Sequence, residues 1–380
     1  MNETPLRITC AIGPYLPVPP LLGGAVERIF LALSQEFARR GHQVTLISRR
    51  FPGLANDETV GAVRFLRIAS RDAPANRILY RLFDLVYAIR VCLALPAADV
   101  TITHSVSLPV ILPRRRAGKI YVSVARFPKN QMGLYRRADR LQAVSTTVAR
   151  AIARQTPAVA HLVRTVPNAL SEAFCAAFTQ TAAPREREIL FVGRIAREKG
   201  IDILIRAFKA IADKHPGWRL VVIGPSATGQ GGDGTALLAQ LQQLVPELRS
   251  RIDFVGPIFD ETLLVARYLR AEIFAYPSVA AQGESFGLAP LEAMACGCAV
   301  VTSSLECFGD FLRPEHNGLQ FDHADDSGKT LAMQLDRLMA DTELRRRLAA
   351  EARRTAQDYT PERVAALFLE DFRRLLVPQG

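Results

Sequence analysis

Two glutamates with seven residues between them, Glu284 and Glu292, bracket the stretch of this sequence best suited to chemistry. Residues 273–275 form an apolar run that reads as a buried strand. A polar loop containing glycine follows, and residues 288–295 read as a helix broken at Gly297. Strand, loop and helix N-terminus in succession offer free backbone N–H groups and the positive end of a helix dipole, which favours an anion. Phe286, Gly287 and Leu288 would supply those N–H groups, and Gly287 lets the backbone come close to a ligand. Glu284 lies just before the helix and Glu292 about one turn inside it, so the two carboxylates can meet opposite ends of an elongated, hydroxyl-bearing ligand. Two glutamates alone would better suit an ordinary strand–helix unit with solvated carboxylates.

The elements that must position these groups are short apolar strands alternating with helices, which implies parallel sheets. Residues 7–13 read as the first strand. A proline-rich loop, 14–20, leads through Gly23-Gly24 into a helix that runs to about Arg40. Paired glycines at that position let the backbone approach a phosphate or a sugar. Further strands are expected at 43–48, 63–68, 100–103 (ending at His104) and 120–124, with a basic turn at 113–119. Residues 77–95 have helical apolar spacing with arginines at 77, 81 and 90. Such a helix lies on a membrane surface or packs on the sheet, the second being the commoner arrangement. The polar stretch 175–187, with Pro184, reads as a linker. Alternation then restarts, with strands at 189–192, 220–223, 252–255, 273–276, 299–302 and 319–321 and final helices at 345–357 and 364–376. A second doubly wound sheet follows, with its ligand outside the carboxyl ends of the strands, the side on which Glu284 falls.

Composition narrows the function. The chain has 380 residues, 49% of them apolar, enough for two sizeable cores. Its net charge of +11 is largely arginine, since only six of 48 basic residues are lysine. That excess suits either a basic solvated surface or attraction to phosphorylated substrates and anionic lipid. No nucleic-acid-binding signature accompanies it. The six cysteines show no paired Cys/His set and read as buried thiols suited to a reducing cytoplasm. The first residues show no secretory pattern, and no apolar run approaches the ~20 residues of a membrane span. Gly328-Lys329-Thr330 has the tail of a phosphate loop, but position 323 is His where that motif needs Gly, so the segment is expected to open a helix. Five glycines in 224–234 fit no dinucleotide fingerprint and read as a mobile loop.

The string from Glu284 through Glu292 to Ala293-Met294-Ala295-Cys296-Gly297 resembles the nucleotide-binding motif of retaining GT-B glycosyltransferases, with family 4 the best match. The resemblance spans nearly the whole chain, strongest in 189–303. It implies an α/β fold, two doubly wound Rossmann-like domains facing a central cleft. Residues 1–174 would form an acceptor-binding domain and 188–358 a nucleotide-sugar-binding domain, with 359–380 a helix crossing back to the first. Gly193 to Gly200 resembles the family's diphosphate-binding segment, matched at Arg194 and Lys199, whose cations would favour the charge that develops on a leaving nucleoside diphosphate. The resemblance further implies that Glu292 binds ribose hydroxyls and that Glu284 faces the donor sugar. Phe286, Gly287 and Leu288 would contact sugar or phosphate through their backbone, Gly23 and Gly24 would close over the donor, and the segment 251–258 would lie by the base.

There is one departure. Many members carry a histidine where this chain has Ala125-Arg126; His104, ending the neighbouring strand, is either an acceptor or sugar ligand or merely a strand-end histidine, and Arg126 is a candidate for anchoring an acidic acceptor. The chain holds no Asp-x-Asp, which argues against a metal-bridged enzyme; no metal and no cofactor are expected. The expected activity is transfer of a hexose-type sugar from a nucleotide sugar, a UDP-sugar ahead of others, to an acceptor the sequence does not name. The expected place is the cytoplasm, with a peripheral contact at the inner membrane face left open. A nucleotide-sugar epimerase on the same fold and a non-catalytic coat-type binding protein are the rivals.

Overall fold

The structure is a computed structural model and describes residues 4–180 and 184–377. The chain divides into two compact units, Met1–Ser171 with Tyr359–Gly380, and Glu172–Asp358. In the first, the elements run β1 (Arg7–Ala11), α1 (Ala25–Arg39), β2 (Gln43–Arg49), β3 (Asp57–Val60), β4 (Val63–Ile68), α2 (Arg77–Ala94) and β5 (Val100–Thr103). They continue through α3 (Leu108–Ile111), α4 (Arg114–Ala117), β6 (Lys119–Val124), β7 (Arg140–Ala143), α5 (Thr146–Gln155) and β8 (Val163–Thr165). The sheet order is β3-β4-β2-β1-β5-β6-β7-β8, all neighbours parallel except the β3–β4 edge pair. The order reverses between β1 and β5, where Ile8 pairs with Val100 and Ala11 with Thr103. That switch point opens a crevice at the carboxyl ends of the strands.

The second unit runs α6 (Glu172–Ala176), β9 (Glu186–Val192), α7 (Ile201–Ile211), β10 (Arg219–Ile223), α8 (Thr235–Gln243), β11 (Ile252–Gly256), α9 (Glu261–Arg270) and β12 (Ala271–Tyr276). It ends with α10 (Leu288–Ala295), β13 (Ala299–Ser303), β14 (Leu319–Phe321), α11 (Lys329–Ala340) and α12 (Thr342–Ala356). All strands are parallel in the order β11-β10-β9-β12-β13-β14, so this sheet switches between β9 and β12. Ile189, Leu190, Phe191, Ile273 and Phe274 are fully buried at the seam, the near-continuous apolar reading of a parallel strand covered on both faces.

The last helix, α13 (Pro361–Leu376), belongs to the first unit. Thr360 caps it by accepting from the Arg363 N–H, and Pro361 occupies the first turn, where no N–H is needed. Its apolar stripe places Phe368 and Phe372 around Phe37 of α1 and Tyr121 of β6, with ring centroids 5.1–6.2 Å apart. Beneath these rings, Asp371 accepts from the Tyr121 hydroxyl at 3.0 Å and pairs with Arg140 at 2.9 Å.

Three expectations are corrected. The segment read as a linker starts inside the second unit: α6 buries Phe174 edge-on against Tyr268 at 5.5 Å, and the division falls after Ser171; residues 181–183 lie outside the described residues. The basic turn at 113–119 holds the short helix α4 and the first residue of β6. Of the six thiols, Cys92 and Cys175 are only part-buried.

Candidate functional site

The second unit's site is built at its strand switch point. Gly200, at φ 64°, follows the turn that carries Lys199, and a Cβ there would sit 2.2 Å from the Pro277 carbonyl oxygen. Glycine thus lets the loop after β9 lie directly against the loop after β12. The Val279 N–H donates to the Glu198 carbonyl at 2.9 Å, and the Ser278 hydroxyl to the same carbonyl at 3.3 Å, fastening the two loops. This brings together residues 85 apart in sequence: Lys199 Nζ donates to Glu284 Oε2 at 2.6 Å, with side chains 7% and 10% exposed. The Tyr276 hydroxyl donates to the same oxygen at 3.2 Å, and Lys199 Nζ stands 5.4 Å from the Tyr276 ring centre. Burial, and then the Glu284 charge, push the Tyr276 phenol well above its ordinary range, so it stays a donor. An ammonium has three N–H donors, and Glu284 takes one.

Downstream, Gly287 adopts φ 91° and opens α10; a Cβ there would meet the Phe308 ring at 2.5 Å. Phe286 is buried against Phe311, with ring centroids 5.5 Å apart. Leu288 begins the helix, whose first N–H groups have no intrahelical partner. One turn in, Glu292 is buried and its Oε2 accepts from the Tyr268 hydroxyl at 3.1 Å. Neither glutamate is therefore a solvated surface carboxylate.

Arg194 is exposed, and its guanidinium donates to the Gly231 carbonyl at 2.5 Å and to Glu198 at 2.8 Å. The glycine-rich loop fastens onto this segment, with the Asp233 N–H donating to the Ile195 carbonyl at 3.0 Å and the Asp233 carboxylate accepting from the Arg197 N–H at 2.8 Å. The site thus joins Lys199 to Glu284 and leaves Arg194 on the adjoining loop. Arg251 is corrected: it precedes β11, at the amino end of that strand, and its guanidinium is spent on the carbonyls of Trp218, Ala212 and His215. Only Gly256 and the residues after it stand at the carboxyl end.

The first unit gathers a second set of groups at its own switch point. His104 follows β5, and its Nε2 accepts from the Gly13 N–H at 3.3 Å. A Cβ on Gly13 would stand 3.1 Å from that nitrogen, a tight contact that the ring would have to relieve by a few tenths of an ångström. Burial and the nearby Arg126 charge lower the His104 pKa to about 4. The ring is therefore neutral near pH 7, with its proton on Nδ1, which is shielded from solvent and has no hydrogen-bond partner among the described residues. Gly23 and Gly24 take φ 76° and 113°, and Gly24 caps α1; a Cβ on it would fall 2.2 Å from Glu27 Oε2. Glu27 was not singled out from sequence. It is 6% exposed, and burial raises its pKa to about 7 against the lowering charges of Arg126 and Arg28. An acid in the first helical turn behind a glycine pair was the available signal. Arg126 itself is exposed.

Comparison with known proteins follows this geometry. The family model described as glycosyl transferases group 1 matches residues 176–355, and that described as glycosyltransferase family 4 matches 22–173. A D-inositol 3-phosphate glycosyltransferase of Rhodococcus opacus is 33% identical over 199 residues, 51% of this chain and 42% of that protein. The Corynebacterium jeikeium protein of the same name is 40% identical over 164 residues, 42% of this chain and 37% of that one. The chain spans about two fifths of the length of these curated relatives. Among solved structures, a sucrose-phosphate synthase from Thermosynechococcus elongatus is similar in fold, with TM-score 0.76 at 22% identity, covering 97% of this chain and 99% of that one. Anabaena HepE, solved with UDP and glucose, gives TM-score 0.72 at 16% identity over 97% and 99%.

Proposed function

The chain belongs to the family 4 glycosyltransferases of group 1, and on that premise we infer that it is a retaining hexosyltransferase using a nucleotide-diphosphate sugar, a UDP-sugar first. The observation that carries this reading is the buried Lys199–Glu284–Tyr276 cluster beside the N-terminus of α10. In it, the two remaining N–H donors of Lys199 meet the donor diphosphate. Arg194 adds a second cation, and the helix N-terminus takes the charge that grows as the C1–oxygen bond breaks. Glu292 receives the ribose hydroxyls, and Glu284 receives the hexose hydroxyls while holding Lys199 in place. The acceptor oxygen attacks C1 from the face the diphosphate leaves; the new C1–oxygen bond replaces the old one, and the acceptor proton passes to the departing phosphate. Cations on the protein do the work a metal would otherwise do. HepE, a structural neighbour, has been solved with UDP-glucose, which supports a UDP donor.

The acceptor is bound by the first unit, where the exposed Arg126 offers a cation to an acidic group. A sugar phosphate carries such a group. In this reading the protein works in the cytoplasm with a peripheral contact at the inner membrane face. The test is release of nucleoside diphosphate from UDP-hexoses with a panel of sugar phosphates, with the product anomer read by NMR. Acceptor-dependent release with retained configuration is the expected result. Interconversion of the donor without acceptor would establish an epimerase, and binding without turnover a non-catalytic protein; either overturns the proposal.

A further inference from the structure

Helix α2 turns apolar residues to both sides. Tyr87, Ala88 and Val91 are buried in the first unit, as is the one acid on the helix, Asp84, which accepts from the Ser105 hydroxyl and the Ser107 N–H. The opposite face should be polar if it only met water. It carries Ile78, Leu82, Leu85, Val86, Ile89 and Leu93 instead, all exposed, with Ile78 at 78% and Leu93 at 75%. At about 100° per residue these fall in one stripe roughly 100° wide along a helix about 27 Å long. Arg81 and Arg90 border the stripe on either side, both exposed. The neighbouring segment extends the surface: Cys92 Sγ donates to the Ile111 carbonyl at 3.7 Å, and Val110 and Ile111 of α3 are exposed. The exposed Arg116 of α4 donates to the Leu93 carbonyl at 3.4 Å.

We propose that this face docks the chain on a bilayer containing anionic lipid, with α2 lying in the plane of the interface. Arginines whose stems run along apolar surface while their heads reach the headgroups are suited to that position, and an anionic leaflet supplies the opposite charge. No helix among the described residues is long and apolar enough to cross a membrane, so the contact is peripheral. A second copy of the chain fits less well. A stable protein interface takes about 20–30 residues a side, whereas this face offers a single helix stripe and one short turn. The proposal stands on the first unit alone and does not depend on sugar transfer.

The test is cosedimentation of the full chain with phosphatidylcholine vesicles, with and without phosphatidylglycerol, in the absence of donor. Binding is expected only with the anionic lipid, weakening as salt rises. Leu82→Glu with Ile89→Glu should lower the partition at least about tenfold, with circular dichroism and thermal unfolding unchanged, since both side chains face outward. Should that pair unfold the helix, Leu85→Ser with Leu93→Ser carries the same expectation. No binding to anionic vesicles, or binding undiminished by the substitutions, would overturn the proposal. So would self-association through this face, seen by sedimentation velocity, without vesicle binding.

Discussion

Replacing Lys199 by Met separates the two tasks assigned to the buried pair. Lys199 and Glu284 meet at 2.6 Å with side chains 7% and 10% exposed, so removing the lysine strands a buried carboxylate with the Tyr276 hydroxyl as its remaining described donor. Breaking a buried pair from one side typically costs about 3–5 kcal/mol, because the surviving charge is left uncompensated. For a unit of this size, Glu172–Asp358, that corresponds to a fall of roughly 6–20 °C in its unfolding transition. Glu284→Gln should cost a similar amount by stranding the ammonium. The double variant removes both charges, and the cycle should return a coupling energy of about 2 kcal/mol or more. Turnover should behave differently. Loss of a cation aimed at the leaving diphosphate costs about 10²–10³ in rate, and the double variant should recover stability without recovering that rate. Denaturant titration of the four proteins, followed by nucleoside diphosphate release, reads both quantities. Single substitutions that each cost under about 1 kcal/mol and add without coupling would refute the reasoning.

Three further outcomes are expected. Gly287→Ala forces a Cβ into the left-handed region and to 2.5 Å from the Phe308 ring, so it should destabilise the second unit by more than the roughly 1–2 kcal/mol of the backbone penalty alone, measured by denaturation; a neutral result would refute the assigned close contact. Burial raises the Glu27 carboxyl to about 7, so the folded chain keeps a proton that the unfolded chain releases. Its stabilising contribution is full below the ordinary carboxylate range, falls as pH rises, and is gone above about pH 7. Glu27→Gln should remove that slope and leave the variant up to about 3 kcal/mol ahead of the parent at pH 8 relative to pH 4; parallel losses in both proteins would contradict this. His104, lowered to about 4 by burial and Arg126, should titrate near that value by NMR of its ring nitrogens, and titration near its ordinary 6.5 would show that the ring is solvated.

The alternation of strands and helices was legible because buried parallel strands are unbroken apolar runs: residues 220–223, 273–276 and 319–321 read directly as strands. Two strands escaped notice for the opposite reason. In β3, Asp57–Val60, an exposed antiparallel edge, three of four residues are polar, and β8, Val163–Thr165, is only three residues long. Helix α10 was legible at both ends because Gly287 and Gly297, each at positive φ, bracket it. The pairing of Lys199 with Glu284 was not legible, since it depends on Gly200 pressing one loop onto another across the strand switch point. Tyr268 on α9 meeting Glu292 on α10 is likewise a product of packing, 24 residues apart. Arg251 misled because the segment 251–258 was placed by the base through the resemblance as one block, although its first residue precedes the strand and so lies at the amino end.

The most direct measurement is thermal unfolding of the full chain against UDP, GDP and ADP sugars, repeated with Glu292→Ala, each protein compared with its own ligand-free transition. The account predicts that one nucleotide base is selected, that a ligand at 100 times its Kd stabilises the parent by about 2.7 kcal/mol, and that Glu292→Ala loses most of the shift. No stabilisation by any nucleotide sugar, or an equal shift in the variant, would contradict it.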